Sequence, residues 1–224
     1  MSFLHQIQML LERTYAATGV NLEECIVGRQ RCMELTALAG ASAIGLSMEG
    51  RTFMRVVDGR LHLAIYYHPH VITALERHPP FQELNAENIH PLIVFIEELN
   101  HAVHAALHFL ENQRLFETEA FLCDLELQAR VDTWLALELI AAALRKRRRP
   151  TTRQRSWLKR CVFGMESFHY RNARMRWRYR EANRLGLRLV EHLESAHSED
   201  RVRLIRRFRT LDFESKRSTI EAMG

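Results

Sequence analysis

With 224 residues, 47% of them hydrophobic and 26% charged, the chain is large and apolar enough to build a full-sized core, and its 9 glycines and 5 prolines are too few for the turns of an all-β fold. The longest apolar stretch, Trp134 to Leu144, is short and contains Glu138, which argues against a membrane-spanning helix. The net charge of +5 conceals a division: residues 1–144 carry 9 Lys and Arg against 18 Asp and Glu, whereas residues 145–188 carry 16 against 2. A field this uneven must find acidic partners, inside the protein or outside it.

The first predicted element is a helix over 3–16, where Leu4, Ile7, Leu10, Leu11 and Tyr15 share one face. The start, MSFLHQIQMLLERTY, lacks the basic opening and long apolar stretch of a signal peptide. A cytoplasmic protein without membrane insertion is therefore expected. Residues 20–50 are ambiguous, because LTALAGASAIG suits either a packed helix or a close-packed turn. Residues 52–67 place β-branched and aromatic runs on both sides of Asp58-Gly59, a strong hairpin signal. A short helix over 70–77 should end before Pro79-Pro80.

Pro91 suits the first turn of a helix reaching Asn112, and a second long helix follows over 115–148. Its WLALELIAAAL stretch is apolar on nearly every side and should be the most buried helical segment. Pro150-Thr151-Thr152 then forms a break and cap, and helices are expected over 153–182, 184–196, 199–209 and 212–222. The fold expected is mainly α, a multi-helix bundle with a small β-hairpin in the N-terminal third. It is read as a single domain over 1–224, with 1–67 the N-terminal helix and hairpin portion and 68–224 the bundle. Cys25, Cys32, Cys123 and Cys161 are scattered without a CxxC pair, so free buried thiols are expected rather than a cysteine-based zinc site.

Chemistry concentrates first in PLIVFIEELNHAVHAALHFLEN. Leu92, Ile96, Leu99, Val103, Ala106 and Leu110 form a core stripe, and Glu97, His101, His104 and His108 lie together on the opposite face. Glu97 and His101 are one turn apart, the spacing by which a helix offers two ligands to one metal, and Glu98 stands beside them as an ExxH partner of His101. Antiparallel packing of the next helix brings residues near 128 level with His101, so Glu126 or Asp132 could supply a further oxygen ligand. A second ExxH, Glu166 to His169, reflects across the Pro150 break into the same layer.

EELNH resembles the zincin motif HExxH with Glu97 in place of its first histidine. That resemblance implies a divalent metal, zinc or iron, held by Glu97, His101 and Glu126 with Asp132 or His104 nearby, and Glu98 as the general base toward metal-bound water. The two ExxH pairs are also similar to those of ferritin-like carboxylate proteins, although no early helix with a matching Glu precedes the hairpin. The alternative is structural: a Glu/His face is usually solvated, and Glu126 with Arg130 is equally an i,i+4 ion pair. Glu138, alone in an apolar stretch, requires a partner, for which Arg153, Arg155 or Arg160 are the candidates.

The second candidate is basic. Arg145 to Arg149 are five cations in a row, more than a helix C-terminus requires, and HYRNARMRWRYREANR interleaves arginines with Tyr170, Trp177 and Tyr179. Arg147, Arg148, Arg171, Arg174 and Arg178 are the candidate contacts to nucleic acid or to an acidic protein partner. Intramolecular pairing with the acidic first two thirds is the competing destination for the same charge. The two functional expectations are thus a helix-built metal site and a non-catalytic adaptor working through 145–180.

Overall fold

A computed structural model describes residues 2–39, 49–111, 118–147, 149–164, 172–196 and 198–223. It is mainly α-helical with one two-stranded antiparallel sheet, as the sequence predicts. Helix α1 (Phe3–Thr14) starts at Ser2, whose hydroxyl accepts from the His5 backbone N–H. It buries Leu4, Ile7 and Leu11. A single 3₁₀ turn at Leu22–Cys25 and helix α2 (Arg29–Leu38) resolve part of the ambiguous stretch, and α2 has no buried residue.

Strands β1 (Gly50–Val57) and β2 (Arg60–Tyr67) pair from Val57↔Arg60 to Gly50↔Tyr67. Asp58 and Gly59 turn the chain with φ of 49° and 71°, the left-handed pair of a tight hairpin. Among the described residues no third strand joins them, and the sheet packs on helix instead. The first residue of β1 shows how closely: a Cβ on Gly50 would lie 2.7 Å from Glu98 Cγ and 2.8 Å from Val94 Cγ1.

Helix α3 (Pro69–Arg77) precedes α4 (Ile89–Leu110) and α5 (Glu119–Leu144), the antiparallel pair at the centre of the molecule. Then come α6 (Thr152–Phe163), α7 (Ala173–Ser195), α8 (Ser198–Arg209) and α9 (Phe213–Glu221). Two boundaries differ from expectation. The break predicted at 183 does not occur, because Asn183 donates its side-chain amide to the Phe163 carbonyl at 2.9 Å and so serves as an end cap for α6 while α7 runs straight through. The interruption comes earlier, after Phe163, and α7 restarts at Asn172, whose side chain accepts from the Arg174 and Met175 N–H groups.

One apolar cluster joins α1, α3, α4, α6, the hairpin and the distal half of α5, centred on Leu92, Ile96, Leu99, Val103 and Trp134. A second joins the middle of α5 to α7, α8 and α9 through Leu127, Val131, Leu185, Leu189 and Phe208. Helix α5 therefore contributes to both clusters, and α4 buries residues around most of its circumference, from Ile89 to His108. The stripe ends sooner than predicted, with Leu110 56% exposed, while His104, placed on the opposite face by periodicity, is 1% exposed. All four cysteines are free, but only Cys123 is buried; burial and the nearby Glu119 carboxylate push its thiol up to about 12. No helix among the described residues is long and apolar enough to cross a membrane.

Candidate functional site

The α4–α5 contact carries polar groups on two sides. On the first, which faces the hairpin and α7, Arg130 Nη1 lies 2.7 Å from Glu97 Oε1 and donates also to the Val162 carbonyl at 3.2 Å. His101 stands between two carboxylates, its Nδ1 3.8 Å from Glu98 Oε2 and its Nε2 3.7 Å from Glu126 Oε2. Thr52 of β1 donates to the Glu98 carbonyl at 2.8 Å, and Tyr179 of α7 donates to the Glu126 carboxylate. Each of these five charged side chains keeps a small exposed fraction, so together they line a narrow crevice.

The electrostatics of the crevice follow from who faces whom. Burial opposes the His101 imidazolium, but Glu126 and then Glu98 outweigh it and raise the group to about 10. Burial also opposes the Glu126 carboxylate, yet His101, Tyr179 and Arg130 together hold it below the usual carboxylate range. Glu97 goes the other way: burial raises it, and Arg130 only partly offsets that. The crevice is thus an ion-pair centre in which Arg130 and protonated His101 supply the positive charge.

On the second side lies a more deeply buried network. Asp132 accepts from Tyr15 Oη in a short hydrogen bond, from Asn100 Nδ2 at 3.1 Å and from Gln128 Nε2 at 3.2 Å, and faces His104 Nε2 at 2.8 Å. Burial, aided by Lys216 and Arg209, holds the His104 imidazole below its ordinary range despite Asp132, so the ring is neutral and donates from Nε2. Further along, Lys216 Nζ sits 2.6 Å from Asp124 Oδ1 with 0% of its side chain exposed. His108 Nε2 approaches Asp124 Oδ2 at 3.6 Å.

Of the candidate ligands and the Glu98 base, the structure brings together Glu97, Glu98, His101 and Glu126 and separates His104 and Asp132 from them. The α4–α5 contact lies between the two sets, because Asp132 is six residues, not one or two whole turns, beyond Glu126. Glu166 and His169 lie outside the described residues. Among the described residues no group of three His, Cys, Asp or Glu side chains is placed to hold a metal ion. The donor set does not fit one as it stands: Glu97 is engaged by Arg130, and His101 presents its two nitrogens to different carboxylates.

Sequence reasoning passes over Tyr15, Asn100, Gln128, Asp124 and Lys216. Lys216 carries a readable signal, standing three residues after Phe213 and four before Ile220, both buried, and so on the inward face of α9. Glu138 does have an arginine partner, but it is Arg201 of α8 at 2.5 Å; Arg155 and Lys159 pair with Glu194 instead, and Arg153 and Arg160 are exposed.

The basic region divides. Arg174 and Arg178 both contact Glu119, at 2.6 and 2.8 Å, and Arg178 grips it with a second bond at 2.9 Å. Arg184 pairs with Glu181 and Glu221. These α7 arginines thus pair with acids of their own chain, the intramolecular destination for the charge, although the Arg174 side chain stays 69% exposed. Trp177 remains 46% exposed. At the corner where α5 turns into α6, Arg145, Lys146, Arg147 and Arg153 are exposed, and none has an acidic partner among the described residues. Arg148 and Arg171 lie outside the described residues. Beside the corner, a cleft of about 400 Å³ opens between the α3–α4 connection and helices α5 and α6.

Comparison with known proteins finds no family model, no curated protein and no solved structure that matches the chain.

Proposed function

We propose that this chain is a non-catalytic binding protein that engages a polyanionic partner through the α5–α6 corner. One observation carries the reading: Arg174, Arg178 and Arg184 of α7 and Arg155 and Lys159 of α6 pair with Glu119, Glu181, Glu194 and Glu221, whereas Arg145, Lys146, Arg147 and Arg153 point no charge at an acid of their own chain among the described residues. Helix capping does not account for all four, since the terminal α5 carbonyl of Ala142 is already met by the Arg145 and Arg147 backbone N–H groups. The test is binding to generic DNA or RNA as a function of salt. The wild-type protein should weaken steeply with salt, and neutralising all four cations to Gln should flatten the log–log slope by about 0.7–0.9 for each phosphate left without its cation. An unchanged slope, or no binding to either nucleic acid or an acidic polypeptide, overturns the reading.

A metal-dependent site with Glu98 as base has one observation in its favour: His101 Nε2 is buried without a hydrogen-bond partner. Metal binding there would require Arg130 to release Glu97. Elemental analysis of untagged protein decides it. Near-stoichiometric zinc or iron, lost in His101→Ala, would establish the site; metal content equal in the two proteins after supplementation would remove it.

A further inference from the structure

The cleft beside the basic corner has a chemistry of its own. It is lined by the half-buried Trp157, by the apolar side chains of Leu144 and Leu158, and by the polar Glu83 and Gln154. Arg145 lines the same cleft and belongs to the cationic corner, so the path from corner to cleft is continuous. The Gln154 carbonyl oxygen is committed to the α6 capping box, accepting from Thr151 N at 3.1 Å, which leaves its amide nitrogen as a donor. An indole, apolar side chains, one acceptor and one donor in the lining, and a cation that continues into a basic corner are what a nucleobase with its phosphate asks for. At about 400 Å³ the cleft falls in the range of small-ligand sites, roughly 300–1,000 Å³.

Resting on the polyanion reading above, we infer that the partner is single-stranded nucleic acid, with one base lodged against Trp157 and the adjoining phosphates on Arg145, Lys146, Arg147 and Arg153. Two features separate this from other polyanions. A base paired and stacked in a duplex cannot enter a side cleft, so a single strand is selected. An acidic peptide would bring carboxylates up to Glu83, where like charges repel, whereas the amino and imino groups of a base donate to that carboxylate.

Fluorescence anisotropy of the full chain against four probes tests the inference: a labelled single-stranded oligonucleotide, its duplex, inorganic polyphosphate and poly-glutamate. The single strand should bind tightest. Trp157→Leu should weaken single-strand binding about 5- to 150-fold, the usual loss for one stacked base, with polyphosphate binding unchanged. Trp157→Phe, which keeps a ring in the same lining, should retain most of the affinity and guards against a folding defect. If Trp157→Leu and wild type bind the single strand equally while both bind polyphosphate, the base site is wrong and the basic corner survives. Tighter binding of poly-glutamate than of the oligonucleotide transfers the corner to an acidic protein and also removes the base site. No salt-sensitive binding to any probe brings down the polyanion reading and the inference with it.

Discussion

The crevice between α4 and α5 and the corner between α5 and α6 are both dense in charge, and they use it in opposite ways. In the crevice every cation faces a carboxylate: Arg130 meets Glu97, and His101 meets Glu98 and Glu126. At the corner the same residue type faces water. The difference is positional, since arginines on α7 lie alongside the acidic α5 whereas residues 145–153 lie past its end. Charge composition alone therefore says little about partners. What identifies a binding surface is the charge left over after internal pairing, and at the α5–α6 corner four such cations fall within nine residues of sequence.

The contrast breaks if interior pairing contributes no more than surface charge, and the buried network beyond the crevice gives the largest expected effect. Asp132→Ala leaves the buried Asn100, His104 and Gln128 and the partly buried Tyr15 around a missing acceptor. The expected loss is about 3–5 kcal/mol of folding stability, seen as a lower urea midpoint at unchanged m-value. Neutralising Arg147 at the corner should shift stability by only about 0.5 kcal/mol or less. A loss below about 1 kcal/mol in Asp132→Ala would mean that the network is not what ties α1 to the central pair.

How much of this is readable in the sequence depends on the range of the interaction. The Asp58-Gly59 turn, the Thr151 cap and the long apolar helices are set within a few residues, and all are legible. The grouping of Glu97, Glu98, His101 and Glu126 follows from helical spacing plus one assumption, antiparallel packing. The placement of Asp132 and His104 with them fails because the circumference of a helix, not only its height, decides which side a residue serves. The division expected between helices 153–182 and 184–196 fails because Asn183 finds its partner 20 residues away, at the Phe163 carbonyl. The Arg201–Glu138 and Lys216–Asp124 pairs span 63 and 92 positions, and nothing local specifies which distant cation reaches a buried acid.

His101 and His104 of α4 sharpen the contrast through pH, because they lie on opposite sides of the same contact and shift in opposite directions. His101 is raised from 6.5 to about 10 by Glu126 and Glu98 against the cost of burial, with Glu97, Arg130 and Tyr179 completing its surroundings. A raised imidazole stabilises the fold fully below its unfolded value and loses that contribution as pH climbs from about 6.5 toward 10. His104 is lowered by burial, so the unfolded chain takes up its proton first and stability falls as pH drops below the ordinary imidazole value. The pair should give a stability maximum near that value. The alkaline limb should amount to a few kcal/mol, at roughly 1.4 kcal/mol for each tenfold gain in proton affinity before allowance for solvent reaching the crevice. In His101→Gln the alkaline limb should flatten while the acid limb stays, because His104 keeps its partners. Denaturant titrations across this range read both limbs directly. An alkaline limb as steep in His101→Gln as in wild type would show that Glu98 and Glu126 do not hold an imidazolium between them.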